Sequence, residues 1–290
     1  MARQLILGIE VSDETVARWA GWFAPDPQPF LVEGDERVPV PDELRDTFEL
    51  YGLADRRVSI RWIHEAEYFA MGRKERSELL RDQVRLGRAL VPSVASLGDD
   101  DARPVREQAD GRRFVWWPSL LTRDNRRRVL GRFVTGNRPP SRHDDVPTSV
   151  WRAAETLLPR ARAVAGAFPP RSGPNCFGTV MAAAGRLGAH EEWVQRDAFE
   201  AWLAGAASAT SRGHPDAAGI VMVWRNATGQ ADHAAVTLGS GWALHKPSQG
   251  WMSPSTVLRT DALIRTVRAR GLRLNRYVLR GDVGRAASTL

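Results

Sequence analysis

"GIVMVWRNATGQADHAAVTLGSGWALH", residues 219–245, holds three apolar runs separated by turn-forming residues. Ile220–Arg225, His233–Leu238 and Trp242–His245 are short, rich in β-branched, aromatic and small residues, and bounded by Gly and Asn, which is the signature of strands. "NATGQ" (226–230) and "GSG" (239–241) are reverse-turn signals, so consecutive antiparallel pairing is predicted. A three-residue loop over 239–241 pairs Leu238 with Trp242 and Ala235 with His245. Side chains alternate along a strand, so His233 and His245 then share a face as diagonal neighbours, about 7–8 Å apart at the backbone. A two-residue loop would put them on opposite faces.

Outward from these strands the period changes. Ser149–Phe168 is predicted helical through Val150, Trp151, Ala154, Leu157 and Leu158, and Glu191–Ala207 through Val194, Ala198, Ala201 and Trp202. Between them lies "RSGPNCFGTVMAAAG" (171–185), with the only cysteine of the chain. Its Pro/Gly lead-in stops at Asn175, and a small-residue helix, Cys176–Ala184, begins on the cysteine and closes at Gly185 as its C′ residue. A helix (Thr260–Arg268) and a strand (Arg273–Leu279) follow the hairpins. Helices first and an antiparallel sheet after them predict an α+β fold.

A thiol at the first turn of a helix feels the positive end of the macrodipole, so Cys176 is expected to be more acidic than a free thiol, near 8.5. A nucleophilic thiolate also needs a base, a group that orients the base, and an oxyanion site. Of the six histidines, His64 and His143 stand in contexts without a visible partner, and His190 and His214 lie beside helix ends. His233 opens a strand and His245 closes the next.

Here the residues carry a family likeness. "NCFGTV" resembles the Asp-Cys-Ser-Gly-Leu/Phe-Val motif of NlpC-type papain-like cysteine peptidases, and "DHAAVTLGSGWALHKPSQGW" resembles that family's His-Val-Gly-Ile-Tyr-Leu-Gly-x-Gly-x-x-(Ile/Leu)-His-Ala stretch. "GIVMVW" and "RLNRYVL" are similar to its flanking strands, and the likeness spans about 150–280. It implies a papain-like domain in which Cys176 is the nucleophile, His233 its base and His245 the group that orients the imidazole. The Cys176 backbone N–H would serve the oxyanion hole, with Asn175 and Ser172 as further oxyanion or substrate-binding candidates. The sequence departs from the family at Asn175 and Phe177, where Asp and Ser are usual. It also lacks the upstream Tyr and Gly-Gly segment, with "FPPRSGP" in their place.

The remainder of the chain is less specific. Its 290 residues, 43% apolar and 26% charged, suit a globular protein of one or two domains. "TGNRPPSRHDDVP" (135–147) marks a boundary between an α+β domain over 1–145, of unknown role, and the papain-like domain over 146–290. In the first domain, strands are predicted at Leu5–Val11 and Val58–Ile63, and helices at Asp13–Trp22 with Asp13 as N-cap, Arg73–Leu90 and Arg123–Phe133. Residues 96–111 read as an exposed loop, and Trp19, Trp22, Trp62, Trp116 and Trp117 as core. Only Lys74 and Lys246 are lysines, so the net charge of +7 is an arginine charge, and its excess lies wholly in residues 151–290, with 17 basic and 9 acidic residues. That field favours acidic ligands. No basic–aromatic motif accompanies it, which argues against nucleic acid. One cysteine, no signal-peptide pattern and no apolar stretch near membrane-spanning length predict a cytoplasmic protein with no membrane partner.

The function expected from these residues is a thiol-dependent hydrolase, an amidase or peptidase, acting on a small peptide-like or acyl substrate. The alternatives are a cysteine acyltransferase of small-molecule metabolism and a binding module that kept the fold without the chemistry. The separations of Cys176, His233 and His245 are not those of short Cys/His metal motifs, so neither a metal nor a cofactor is expected.

Overall fold

The computed structural model of the protein describes residues 4–34, 46, 58–88, 90–210, 216–268 and 271–281. Among them helices alternate with antiparallel sheets, an α+β architecture. The chain divides into two compact units, one built on Val11–Gly136 and one on Leu5–Glu10 with Asn137–Leu290. Among the described residues no helix is long and apolar enough to cross a membrane.

The predicted strand Leu5–Val11 is a hairpin of β1 (Gln4–Ile6) and β2 (Ile9–Val11). Leu7 and Gly8, with φ of 53° and 74°, reverse the chain between them. Two successive left-handed residues give the turn twist that matches paired strands. In the first unit α1 (Asp13–Phe23) is capped by Ser12, whose hydroxyl accepts the Thr15 N–H at 3.1 Å. Asp13 is therefore a first-turn residue, where its carboxylate faces the positive end of the helix. β3 (Gln28–Glu33) pairs with β4 (Val58–Ile63), and α2 (Glu65–Ala70) and α3 (Arg73–Arg85) follow. Left-handed Gly87 ends α3 before Leu90, with the Arg88 N–H returning to the Gln83 carbonyl.

Residues 96–111, read as a loop, contain α4 (Asp99–Gln108), with Pro104 inside it, and α5 (Arg126–Thr135) completes the unit. Its core gathers Phe30, Ile63, Tyr68, Leu80, Val91, Val115 and Trp117. Trp19 and Trp116 are buried as well, whereas Trp62 is 43% exposed.

The second unit opens with α6 (Thr148–Ala154) and α7 (Ala161–Val164) in place of one long helix. Pro159 lacks an N–H and pushes Leu158 out of helical geometry, which explains the break. Next come α8 (Cys176–Ala183) and α9 (Arg196–Ala206), the latter starting after a 3-10 turn at Ala189–Glu191. Six strands then form one antiparallel sheet in the order β5 (Ala207–Ala209), β10 (Arg273–Leu279), β6 (Ala218–Arg225), β7 (Ala231–Gly239), β8 (Trp242–His245) and β9 (Thr256–Arg259). The sheet is covered on both faces. Val221, Val223, Ala234, Val236, Leu238, Trp242 and Leu244 pack beneath the helices that include α8. Met222, Trp224, Ala235, Ala243 and Leu258 pack against Leu263 and Val267 of α10 (Thr260–Arg268). Burial on two sides is why these strands read as continuous apolar runs.

The β7–β8 hairpin differs from prediction in its turn and agrees in its outcome. Gly239 pairs with Trp242, leaving Ser240 and Gly241, with φ of 50° and 75°, as a two-residue turn. Leu238 is then skipped as a bulge, and Thr237, Val236 and Ala235 pair with Ala243, Leu244 and His245. The extra residue of a bulge shifts parity by one, and the shorter turn shifts it back. His245 therefore lies opposite Ala235, as the three-residue loop also required.

Candidate active site

Asn175 starts α8. Its backbone is extended (φ −129°, ψ −176°) and its Oδ1 accepts the Gly178 N–H at 3.0 Å, satisfying one of the helix's open donors. Its Nδ2 donates to the Val194 carbonyl at 2.7 Å, and its own carbonyl accepts from Thr179 Oγ1 at 3.0 Å. A Cβ on Gly178 would lie 2.1 Å from the Ala189 carbonyl oxygen, so only glycine lets the first turn approach that segment. The lead-in is fixed by the loop after β8: the Trp251 N–H donates to Ser172 Oγ at 3.0 Å, and the Gly173 N–H to the Gln249 carbonyl at 2.8 Å. Asn175 and Ser172, expected as oxyanion or substrate-binding groups, are both buried and hold the backbone before Cys176 in place.

The predicted imidazole pair is formed. His233 Nε2 and His245 Nδ1 are 3.2 Å apart, with the rings edge-on at 83° and both side chains buried. The His233 ring also rests against Trp224, its cross-strand partner, with centroids 5.5 Å apart. His233 and His245 lie on the sheet face of Ala235, whereas Ala234 and Leu244 pack under the cysteine helix. The imidazole pair and the cysteine helix thus lie on opposite faces of β7, and the link between them is its backbone: the Ala234 N–H, next in the chain after His233, acts on the Cys176 sulfur.

The thiol is not acidified. Burial pushes Cys176 up from 9.0 to about 11, because a thiolate there would lose its water. The Ala234, Phe177 and Cys176 N–H groups and the Lys246 charge all act in the opposite direction. The helix N-terminus therefore works as expected in sign, and desolvation outweighs it.

The remaining histidines are held elsewhere. His64 Nδ1 meets Asp26 Oδ1 at 3.1 Å, His143 Nδ1 meets Ser141 Oγ at 3.1 Å, and His190 lies 3.4 Å from Glu191; His214 falls outside the described residues. Among the described residues no three His, Cys, Asp or Glu side chains are grouped to hold a metal ion. Lys246 is a neighbour of the thiol that the sequence reading missed. Its signal was its rarity, as one of two lysines, and its place directly after His245. Comparison of the chain with protein-family models, with curated proteins and with solved structures returns no match.

Proposed function

We propose that the second unit is a papain-like, thiol-dependent hydrolase that cleaves a peptide-like amide through an acyl-thioester on Cys176. One observation carries the reading. The cysteine at the first turn of α8 abuts the amide next to His233, and the His233 ring is in turn bound to His245. The ordered likeness of Cys176, His233 and His245 to the NlpC-type family supports it further.

In this reading His233 Nε2–H donates to His245 Nδ1, which fixes the tautomer that leaves Nδ1 of His233 basic. For this the Cys176 proton must pass from the α8 face of β7 to that nitrogen, on the Trp224 face, as sulfur attacks the carbonyl carbon. The leaving amine takes the proton as the C–N bond breaks, leaving the thioester. Water then gives its proton to His233 and its oxygen to the acyl carbon. The acid departs, and the proton returns to sulfur. The Cys176 N–H at the helix start is the oxyanion donor. A thiol with a pKa of about 11 rests protonated, so the proton transfer belongs to the reaction and not to the resting state.

Two other readings share these residues. An acyltransferase differs only in that an amine or alcohol, and not water, meets the thioester. A binding module is favoured by the burial and high pKa of the thiol. Intact mass after incubation with activated acyl esters at pH 7.5 separates them. An acyl adduct on Cys176, absent from Cys176→Ala, supports the enzyme readings, and its discharge by water or only by added amines decides between hydrolase and transferase. A wild-type protein that takes up no acyl group leaves the binding module.

A further inference from the structure

Lys246 lies one residue beyond β8 and only 2% of it is exposed. A lysine is almost never buried this far unless its charge is matched. Among the described residues no carboxylate pairs with it. Nζ donates to three backbone carbonyls, those of Ser248 at 2.6 Å, Gly250 at 3.3 Å and Ser253 at 2.5 Å. Three acceptors require three donors, which only the ammonium form has. Burial foremost, and the Arg138 charge with it, pull this amine from 10.5 down to about 7. The three carbonyl dipoles oppose that pull, so we read the group as charged at neutral pH.

The loop wrapped around this charge is the one that fixes the cysteine lead-in. Gln249, inside it, accepts from the Gly173 N–H, and Trp251 donates to Ser172 Oγ. Ser253 Oγ closes the loop by accepting the Ser248 N–H at 3.0 Å. Among the described residues the titratable groups that act on Lys246 are Cys176, which as a thiolate favours the ammonium, and Arg138, which opposes it and whose Nη1 donates to the Met252 carbonyl at 3.2 Å.

We propose that Lys246 is a positioning residue for Cys176: its buried ammonium folds residues 246–253 around itself, pins 172–173 ahead of the cysteine helix, and turns a positive charge toward the sulfur. The inference deepens the thiol reading and rests on it. When the Cys176 proton leaves, the developing thiolate feels this charge in a buried site, where electrostatic effects are strong. No Asp, Glu or second histidine is needed for that task.

The test is the pH profile of Cys176 alkylation by neutral iodoacetamide in wild type and in Lys246→Met, which keeps the side-chain length without the charge. Loss of the charge is expected to raise the midpoint by about one pH unit, a rate roughly tenfold lower at pH 8. Mere loosening of the loop would expose the thiol and speed alkylation, so an unchanged or lowered midpoint overturns the proposal. Should Lys246→Met fail to fold, the wild type still decides. With lysine labelled by 15N at Nζ it has only two side-chain amines to observe. Lys246 is expected as a slowly exchanging NH3+ signal that moves when Cys176 is alkylated. A neutral amine at pH 7, or a signal indifferent to alkylation, overturns it. Acyl-adduct formation separates the two claims. Adducts that form equally in both proteins with one midpoint sink Lys246 alone, and a shifted midpoint without any wild-type adduct sinks the acyl-transfer reading alone.

Discussion

In the first unit the buried polar groups close on one another. Asp110 accepts Tyr68 Oη at 2.8 Å and Arg76 Nε at 2.9 Å, while Arg76 Nη1 reaches the Phe69 and Met71 carbonyls. Gln83 spans the Leu31 amide and carbonyl at 2.7 Å each, and Gln28 accepts from Arg88 at 2.7 Å. Each bond ties one element of the core to another. In the second unit a thiol and an ammonium lie at the start of α8 and in the loop after β8, and an imidazole pair lies across β7 from the thiol, on the other sheet face. Burial of polar side chains is common to both units. What distinguishes a candidate site is that its groups can exchange a proton, whereas a guanidinium–carboxylate–phenol cluster keeps its protons at neutral pH.

The largest effect should separate the two kinds of network. Asp110→Ala leaves the buried Tyr68 hydroxyl and the Arg76 charge without their carboxylate, and should cost about 3–5 kcal/mol of unfolding free energy. Denaturant titration measures the loss, and acylation of Cys176 by protein that remains folded should not change. If that folded fraction loses acylation too, the separation drawn between the units fails.

A pH effect of opposite origin belongs to the second unit. Because the Cys176 pKa is raised on folding, from 9.0 to about 11, the folded chain holds a proton that the unfolded chain releases. Stability from this group is therefore complete below about pH 9 and is lost as pH rises toward 11, on the order of 3 kcal/mol in all. Unfolding free energies of wild type and Cys176→Ala, followed from pH 8 to 11, should converge or cross by that amount. Parallel curves would mean that the thiol is better solvated than its burial implies.

Gly178→Ala places a methyl group against the Ala189 carbonyl and should destabilise by about 1–3 kcal/mol, with the start of α8 displaced. Thermal unfolding reads the cost, and slower acylation of the folded protein reads the displacement. Asn175→Ala removes a cap and should cost about 1 kcal/mol. Asn175→Asp should restore the cap to Gly178 and lose the bond to Val194, since a carboxylate cannot donate. Equal stability of the Ala and Asp variants would show that the cap contributes nothing.

Much of the second unit was legible because its signals are local. Trp242–His245, Thr260–Arg268 and Arg273–Leu279 have the bounds read from periodicity, and the start of α8 follows from a capping Asn behind a Pro/Gly segment. The β7–β8 turn was misread because a two-residue turn with a bulge and a three-residue loop give His245 the same partner. α4 was missed because its charged sequence and Pro104 resemble a loop when no packing partner is visible. The thiol's acidity was misjudged for a similar reason. A helix start can be read from sequence, whereas the depth of burial that outweighs it depends on how α8 sits on the sheet. Lys246 is the same case, since its carbonyl partners belong to a loop whose course no pattern specifies.

The claim on which the rest depends is that Cys176 gives its proton to His233, so the deciding measurement is the rate of acyl-enzyme formation at pH 7.5 from an activated ester in wild type, His233→Ala and His245→Ala. The account predicts that His233→Ala slows acylation by roughly 10²–10⁴ while the protein stays folded. It predicts a smaller loss in His245→Ala, which His245→Asn or His245→Gln partly restores, because an amide oxygen can still accept the His233 N–H. Acylation of folded His233→Ala at the wild-type rate would contradict it.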